Sequence, residues 1–171
     1  MTFLFLSARV VHVLLAGLWF GSAAFMSLLL MPAMNAAGPS AGPVMLSLNR
    51  KGLVPFFASI SGITILTGFY LYWHATDGFA PGSGAQHANM AYGAGGIAGL
   101  IAAIIGGSVV GRSAKKAVEI MGRVATLGDG SEKQSLMGEV AALREKMATF
   151  GMIVVVLQVI AAGLMAVARF I

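Results

Sequence analysis

VVHVLLAGLWFGSAAFMSLLLM, residues 10–31, contains no Asp, Glu, Lys or Arg. A helix of about 20 such residues, rising about 1.5 Å per residue, is what ~30 Å of bilayer hydrocarbon requires. Three further runs of similar length and character follow, at 53–73, 91–111 and 150–170. Each has an intelligible stop: Pro32 after the first, Asp77 and the run Gly78 to Gly84 after the second, Arg112 and Lys115 after the third, and Arg169 at the last. The whole chain of 171 residues is 58% apolar and 10% charged, whereas a soluble domain carries about a quarter charged residues. The expected fold is all-α: one integral membrane four-helix bundle over 1–171, with no length left for a separate soluble catalytic domain. The opening MTFLFLSARV has no basic region and no small-residue cleavage site, so the first span is expected to be retained rather than removed as a signal peptide.

Direction follows from the basic residues, which collect on the cytoplasmic side. Arg50, Lys51, Arg112, Lys115, Lys116, Arg123, Lys133, Arg144 and Lys146 fall between spans one and two or three and four, against only Arg9 and Arg169 on the opposite side. The expected location is therefore a bacterial inner membrane, with the N-terminus and C-terminus periplasmic and the 112–149 loop cytoplasmic. Tyr70, Tyr72, Trp73, Phe79 and Tyr92 would form the outer aromatic belt. A net charge of +5 and a pI near 10.0 then record topology and contact with the lipid bilayer, and nucleic acid is excluded as a partner. There is no cysteine, which removes disulfides, thiolate metal sites and cysteine nucleophiles.

In the 112–149 loop, Ala117, Ile120, Met121, Val124 and Leu127 recur at helical spacing, as do Leu136, Val140, Leu143 and Met147. LGDG, residues 127–130, separates the two arms, and Ser131 with Gln134 has the form of a capping box opening the second. Spans three and four are thus expected to extend as one long helical hairpin whose arms pack on each other. The charged Glu132, Lys133, Glu139 and Glu145 form a solvated face or a docking face for a partner.

Within the membrane, Gly95, Gly99, Ala103, Gly107 and Gly111 recur every four residues, a smooth stripe that admits a neighbouring helix. Gly17 and Gly21 on span one, or Ser61, Gly62, Thr64, Thr67 and Gly68 on span two, could supply that neighbour from within the chain. Gln158 is the one strongly polar side chain near mid-membrane and is expected to join helices by hydrogen bonding.

Chemistry is sparse. No Asp, Glu, Lys or Arg lies centrally in a span, which disfavours ion-coupled transport, and no GxSxG, HExxH, P-loop or paired-carboxylate pattern occurs, so no enzyme is expected. Three histidines remain. His12, His74 and His87 all fall towards the outer face, and His12 and His74 are expected at similar depth, where two imidazoles could ligate haem b iron or copper with Arg9 beside a propionate. Their bland alternative is an ordinary interfacial role. Met31, Met34 and Met45, at the opposite face, are either soft copper ligands or gap-filling side chains.

RVVHVLLAGLWFGSAAFMSLLLMPAM (9–34), AAGPSAGPVM (36–45), TGFYLYW (67–73) and the closing MAVARF (165–170) resemble small bacterial four-helix proteins related to the membrane domain of copper-resistance protein D. The resemblance implies an inner-membrane location and copper or haem handling by the histidine-bearing first helix. It carries over His12, while His74 falls where it implies only an interfacial polar residue. The expected function is a non-catalytic accessory or structural subunit of a multi-subunit bacterial membrane complex of the respiratory or photosynthetic kind, in contact with other membrane subunits or forming a homo-oligomer. The alternative is a haem b- or copper-binding membrane protein acting at the outer face.

Overall fold

Four long helices account for most of the chain: α1 (Phe3–Ala37), α3 (Leu53–Ala75), α4 (His87–Val124) and α5 (Ser131–Phe170), all long and apolar enough to cross a membrane. A short helix, α2 (Gly42–Arg50), lies between the first two. The computed structural model describes residues 3–171, the Pro39 side chain excepted, so Met1 and Thr2 of the expected 1–171 domain lie outside it. Among the described residues there is no strand. The long helices form an antiparallel ring in which α1 packs on α3 and α5, and α4 packs on α3 and α5. Both described chain ends lie at one end of the bundle, the termini end; the opposite end carries α2 and the α4–α5 hairpin.

The helix surfaces are apolar outside and small inside. Leu14 is 66% exposed and Leu66 72%, as suits a surface facing lipid. Lipid tails are as apolar as leucine, so helix association depends on close packing and hydrogen bonds rather than on removing apolar area from water. The mid-bundle core accordingly combines one bulky group, Trp19, with Ala23, Ile60, Ala102, Val154 and Val155, contributed by all four long helices.

Two expectations about helix ends are corrected. Pro32 does not close α1, which continues to Ala37. The turn just before it, Met26–Leu30, is π-helical. A wide turn there shifts the hydrogen-bond register, which accommodates the missing N–H and the bulk of the proline ring. The chain then leaves α1 through Gly38, whose φ of 59° is open to glycine, and α2 occupies the connection to α3. Nor does the Ser131–Gln134 capping box form. Gly130 occupies the cap position with no side-chain bond, and Gln134 N–H donates to the Gly130 carbonyl at 3.2 Å. Asp129 instead accepts from Lys133 Nζ at 2.7 Å, placing a carboxylate where the helix start favours negative charge.

The hairpin itself has the expected construction. α4 runs on to Val124 and α5 begins at Ser131. At 37 residues for the regular part of α5 the helix is about 55 Å long, well beyond the ~30 Å a membrane needs. Ile120, Val124 and Val140 are buried between the arms, with Leu136 and Leu143 against them. Lys116 bridges to Glu139 at 2.5 Å and Arg123 to Glu132 at 3.7 Å across the arms. α2 packs against the α4 arm of the hairpin: a Cβ on Gly42 would meet Met121 Cε at 2.6 Å.

Candidate functional site

The first expectation to fall is that His12 and His74 share a level. α1 is already helical from Phe3, so His12 lies well inside the helix, in the groove between α1 and α3. Its Nδ1 donates to the Thr64 carbonyl at 2.9 Å and, more weakly, to Thr67 Oγ1 at 3.3 Å. The Thr67 hydroxyl is free to accept because its own proton is donated to the Ile63 carbonyl at 2.7 Å. Gly68 supplies the room: a Cβ there would come within 2.8 Å of His12 Cε1. Thr64, Thr67 and Gly68 therefore form a seat for one imidazole, a role not assigned to them from sequence although their spacing puts all three on one side of α3.

His74 is opposite Phe5 instead, with ring centroids 4.9 Å apart and edge to face. Phe5 and His12 are seven residues apart, so the two histidines are displaced by about 10 Å along the helices. A shared metal or haem iron would need both ring nitrogens within a few ångströms of one point, and the antiparallel register forbids it. Arg9 is exposed and so is His87. No group of three or more His, Cys, Asp or Glu side chains suited to a metal occurs among the described residues. What His12 offers is a single nitrogen: with the Nδ1 proton held by a carbonyl, Nε2 of the neutral ring carries the lone pair.

The methionines behave differently from the histidines. Met31, Met34 and Met45 are brought together, joined by Met147, and buried with Ala41 and Ala114. The surrounding Leu30, Leu53, Val54 and Val110 make this an apolar joint where all five helices meet, and flexible thioethers suit such an irregular gap.

Gln158 is the reverse of what its position suggested. It is 5% exposed, on the buried face of α5 with Val154, Val155 and Ala161, and neither its Oε1 nor its Nε2 has a hydrogen-bond partner. It does not join helices. The small stripe also shifts. Gly95 meets α5 closely, its added Cβ lying 3.1 Å from the Ala161 carbonyl oxygen, but Cβ atoms on Gly99 and Gly107 would meet nothing within 4 Å. The face that packs is Ala91, Gly95, Ala98 and Ala102, rotated from the four-residue repeat because 3.6 residues complete a turn.

A polar clasp at the termini end was not anticipated. Asn89, 5% exposed, donates to the Ser83 carbonyl at 2.8 Å and the Ala75 carbonyl at 3.3 Å. The buried Thr76 hydroxyl donates to the Tyr72 carbonyl at 2.9 Å and accepts from the Phe79 N–H at 3.3 Å. Phe79 is held at φ 64°, with its ring against Phe69 and Tyr72. The glycine-rich loop is thus tied down from both flanking helices, and a lone asparagine among Ala and Gly at the start of α4 was its only sequence signal.

Four apolar helices in an antiparallel ring, with a lipid-suited exterior, define a multi-pass α-helical membrane protein. No family model, curated protein or solved structure matches the chain.

Proposed function

We propose that the chain is a non-catalytic accessory subunit of a multi-subunit bacterial inner-membrane complex of the respiratory or photosynthetic kind. The observation that carries the reading is an unused face on α1. Val10, Leu14, Phe25 and Leu28 are each more than half exposed and share a stripe with Gly17 and Gly21, whose added Cβ atoms would meet nothing within 4 Å. Large residues flanking a two-glycine notch suit close approach by a transmembrane helix, and no helix of this chain fills the notch. The basic-residue asymmetry supports periplasmic termini and a cytoplasmic hairpin.

The test is Gly21→Leu. Extracted in mild detergent from native membranes, the wild-type chain should migrate in a complex much larger than itself, and Gly21→Leu should leave that complex with the thermal stability of the isolated chain unchanged. A complex containing only copies of this chain would replace the accessory subunit with a homo-oligomer, and an unaltered complex would mean that the notch is not a contact surface.

One observation favours a second reading, a membrane protein that binds haem b or copper through His12. A histidine whose Nδ1–H is fixed by a backbone carbonyl has the orientation usual for metal ligands. A Soret band lost in His12→Ala and kept in His74→Ala would support it. Purified protein with neither haem absorption nor stoichiometric copper would end it.

A further inference from the structure

Among the described residues, Arg144 is the one arginine that is half-buried rather than exposed. Among the described residues it forms no ion pair, although the more exposed Lys116 and Arg123 both find carboxylate partners. Arg144 lines a small apolar gap together with Met45 and Met147. It also lines a cleft of about 430 Å³ between the hairpin end of α1 and the side of α5, whose polar end holds Asn35, Glu145 and Thr149 and whose apolar end reaches Val140 and Met137.

The level of this cleft is informative. The apolar run of α5 begins at Phe150 and that of α1 ends at Met34, so the cleft extends along α5 away from the membrane, and its polar end, at Asn35 and Thr149, lies where hydrocarbon gives way to water. That is the depth of phospholipid headgroups. Its charges are equally informative: Arg144 and Glu145 line the same space, so the cleft has no net charge. An anionic headgroup would gain from the guanidinium and lose against the carboxylate. A headgroup with both a phosphate and a primary ammonium satisfies both. Guanidinium binds phosphate through paired N–H donors, an ammonium can donate to Glu145, and the exposed Asn35 amide and Thr149 hydroxyl offer further polar contacts at the rim.

We propose that the cleft between α1 and α5 holds the headgroup of an aminophospholipid, phosphatidylethanolamine in chemistry, with Arg144 on the phosphate and Glu145 on the ammonium. The site is independent of the α1 notch and of His12.

The experiment compares lipids on the full chain, delipidated in detergent, by native mass spectrometry and by thermal unfolding. Phosphatidylethanolamine should be retained roughly tenfold better than phosphatidylcholine, whose quaternary nitrogen cannot donate, and better than phosphatidylglycerol. Arg144→Gln should lose retention of all three. Glu145→Gln, at an exposed position, should keep phosphate binding while erasing the preference for ethanolamine, and Lys146→Gln, outside the cleft, should change nothing. Equal retention of phosphatidylglycerol and phosphatidylethanolamine by the wild type would overturn the proposal, as would full retention by Arg144→Gln. Stabilisation by soluble phosphoethanolamine equal to that by the lipid would assign the cleft to a soluble phosphate compound and overturn the lipid.

Discussion

The α1–α3 pair and the α4–α5 pair solve one problem in opposite ways. α1 and α3 are joined by a side-chain bridge, His12 to Thr64 and Thr67, with glycine used at 68 to admit the ring. α4 and α5 are joined by backbone proximity, Gly95 against the Ala161 carbonyl, and the polar residue in their midst, Gln158, is left without a partner. Hydrogen bonding is therefore not what every polar side chain in a bilayer provides. Where two backbones approach closely, little space remains for an amide and its partner together, and dispersion contacts replace it.

The strongest way to break this contrast is Gly95→Leu. The nearest obstacle is backbone, which cannot swing aside, so we expect a loss of about 3 kcal/mol, the upper range for overpacking, read by detergent unfolding. Gly99→Leu, one turn away and facing open space, should leave the isolated chain's stability unchanged; equal effects at 95 and 99 would contradict the packing face described. Gln158→Leu acts in the opposite direction. Removing an amide with two unsatisfied atoms should stabilise the bundle by about 1–2 kcal/mol, and a loss of stability would mean that Gln158 has a partner in the membrane.

On the α1–α3 side, Gly68→Val should push the imidazole from its seat at a cost of about 1 kcal/mol, the scale of a side-chain hydrogen bond within a bilayer. Its signature is a shifted His12 ring resonance, which a simple packing defect elsewhere would not produce.

The smallest effect is expected outside the membrane, at the hairpin tip. The Lys133 hydrogen bond and then its charge hold the Asp129 carboxyl below its ordinary 3.8. A carboxyl depressed in the folded state contributes stability above the unfolded value and loses it as pH falls through the folded one. Amide exchange near residues 129–134 should thus quicken only in acid, below about pH 4, and Asp129→Asn should abolish that pH dependence.

Much of this could be read from local pattern. Apolar run length determined four membrane helices, because hydrocarbon thickness sets helix length whatever the neighbours. Helical periodicity at Ile120, Val124 and Val140 determined the hairpin, because each arm's apolar stripe can be buried by the other. What failed was everything that depends on register or rotation. His12 and His74 looked level because span ends were judged from apolar runs, and the helix that begins at Phe3 shifts one against the other by about two turns. Pro32 looked like a stop because the compensating π turn has no sequence signature.

By itself, then, the sequence determined the number of membrane helices, their antiparallel order and the polar hairpin between the last two, since each follows from composition and spacing within a single segment. Tertiary structure alone decided that Gly95 packs while Gly99 does not, that Thr64, Thr67 and Gly68 receive His12, that Gln158 is orphaned, and that Arg144 and Glu145 share a cleft. Each of those depends on how helices are rotated and slid against one another. An offset of one residue turns a side chain by about 100°, from a neighbouring helix towards lipid, without altering hydropathy at all.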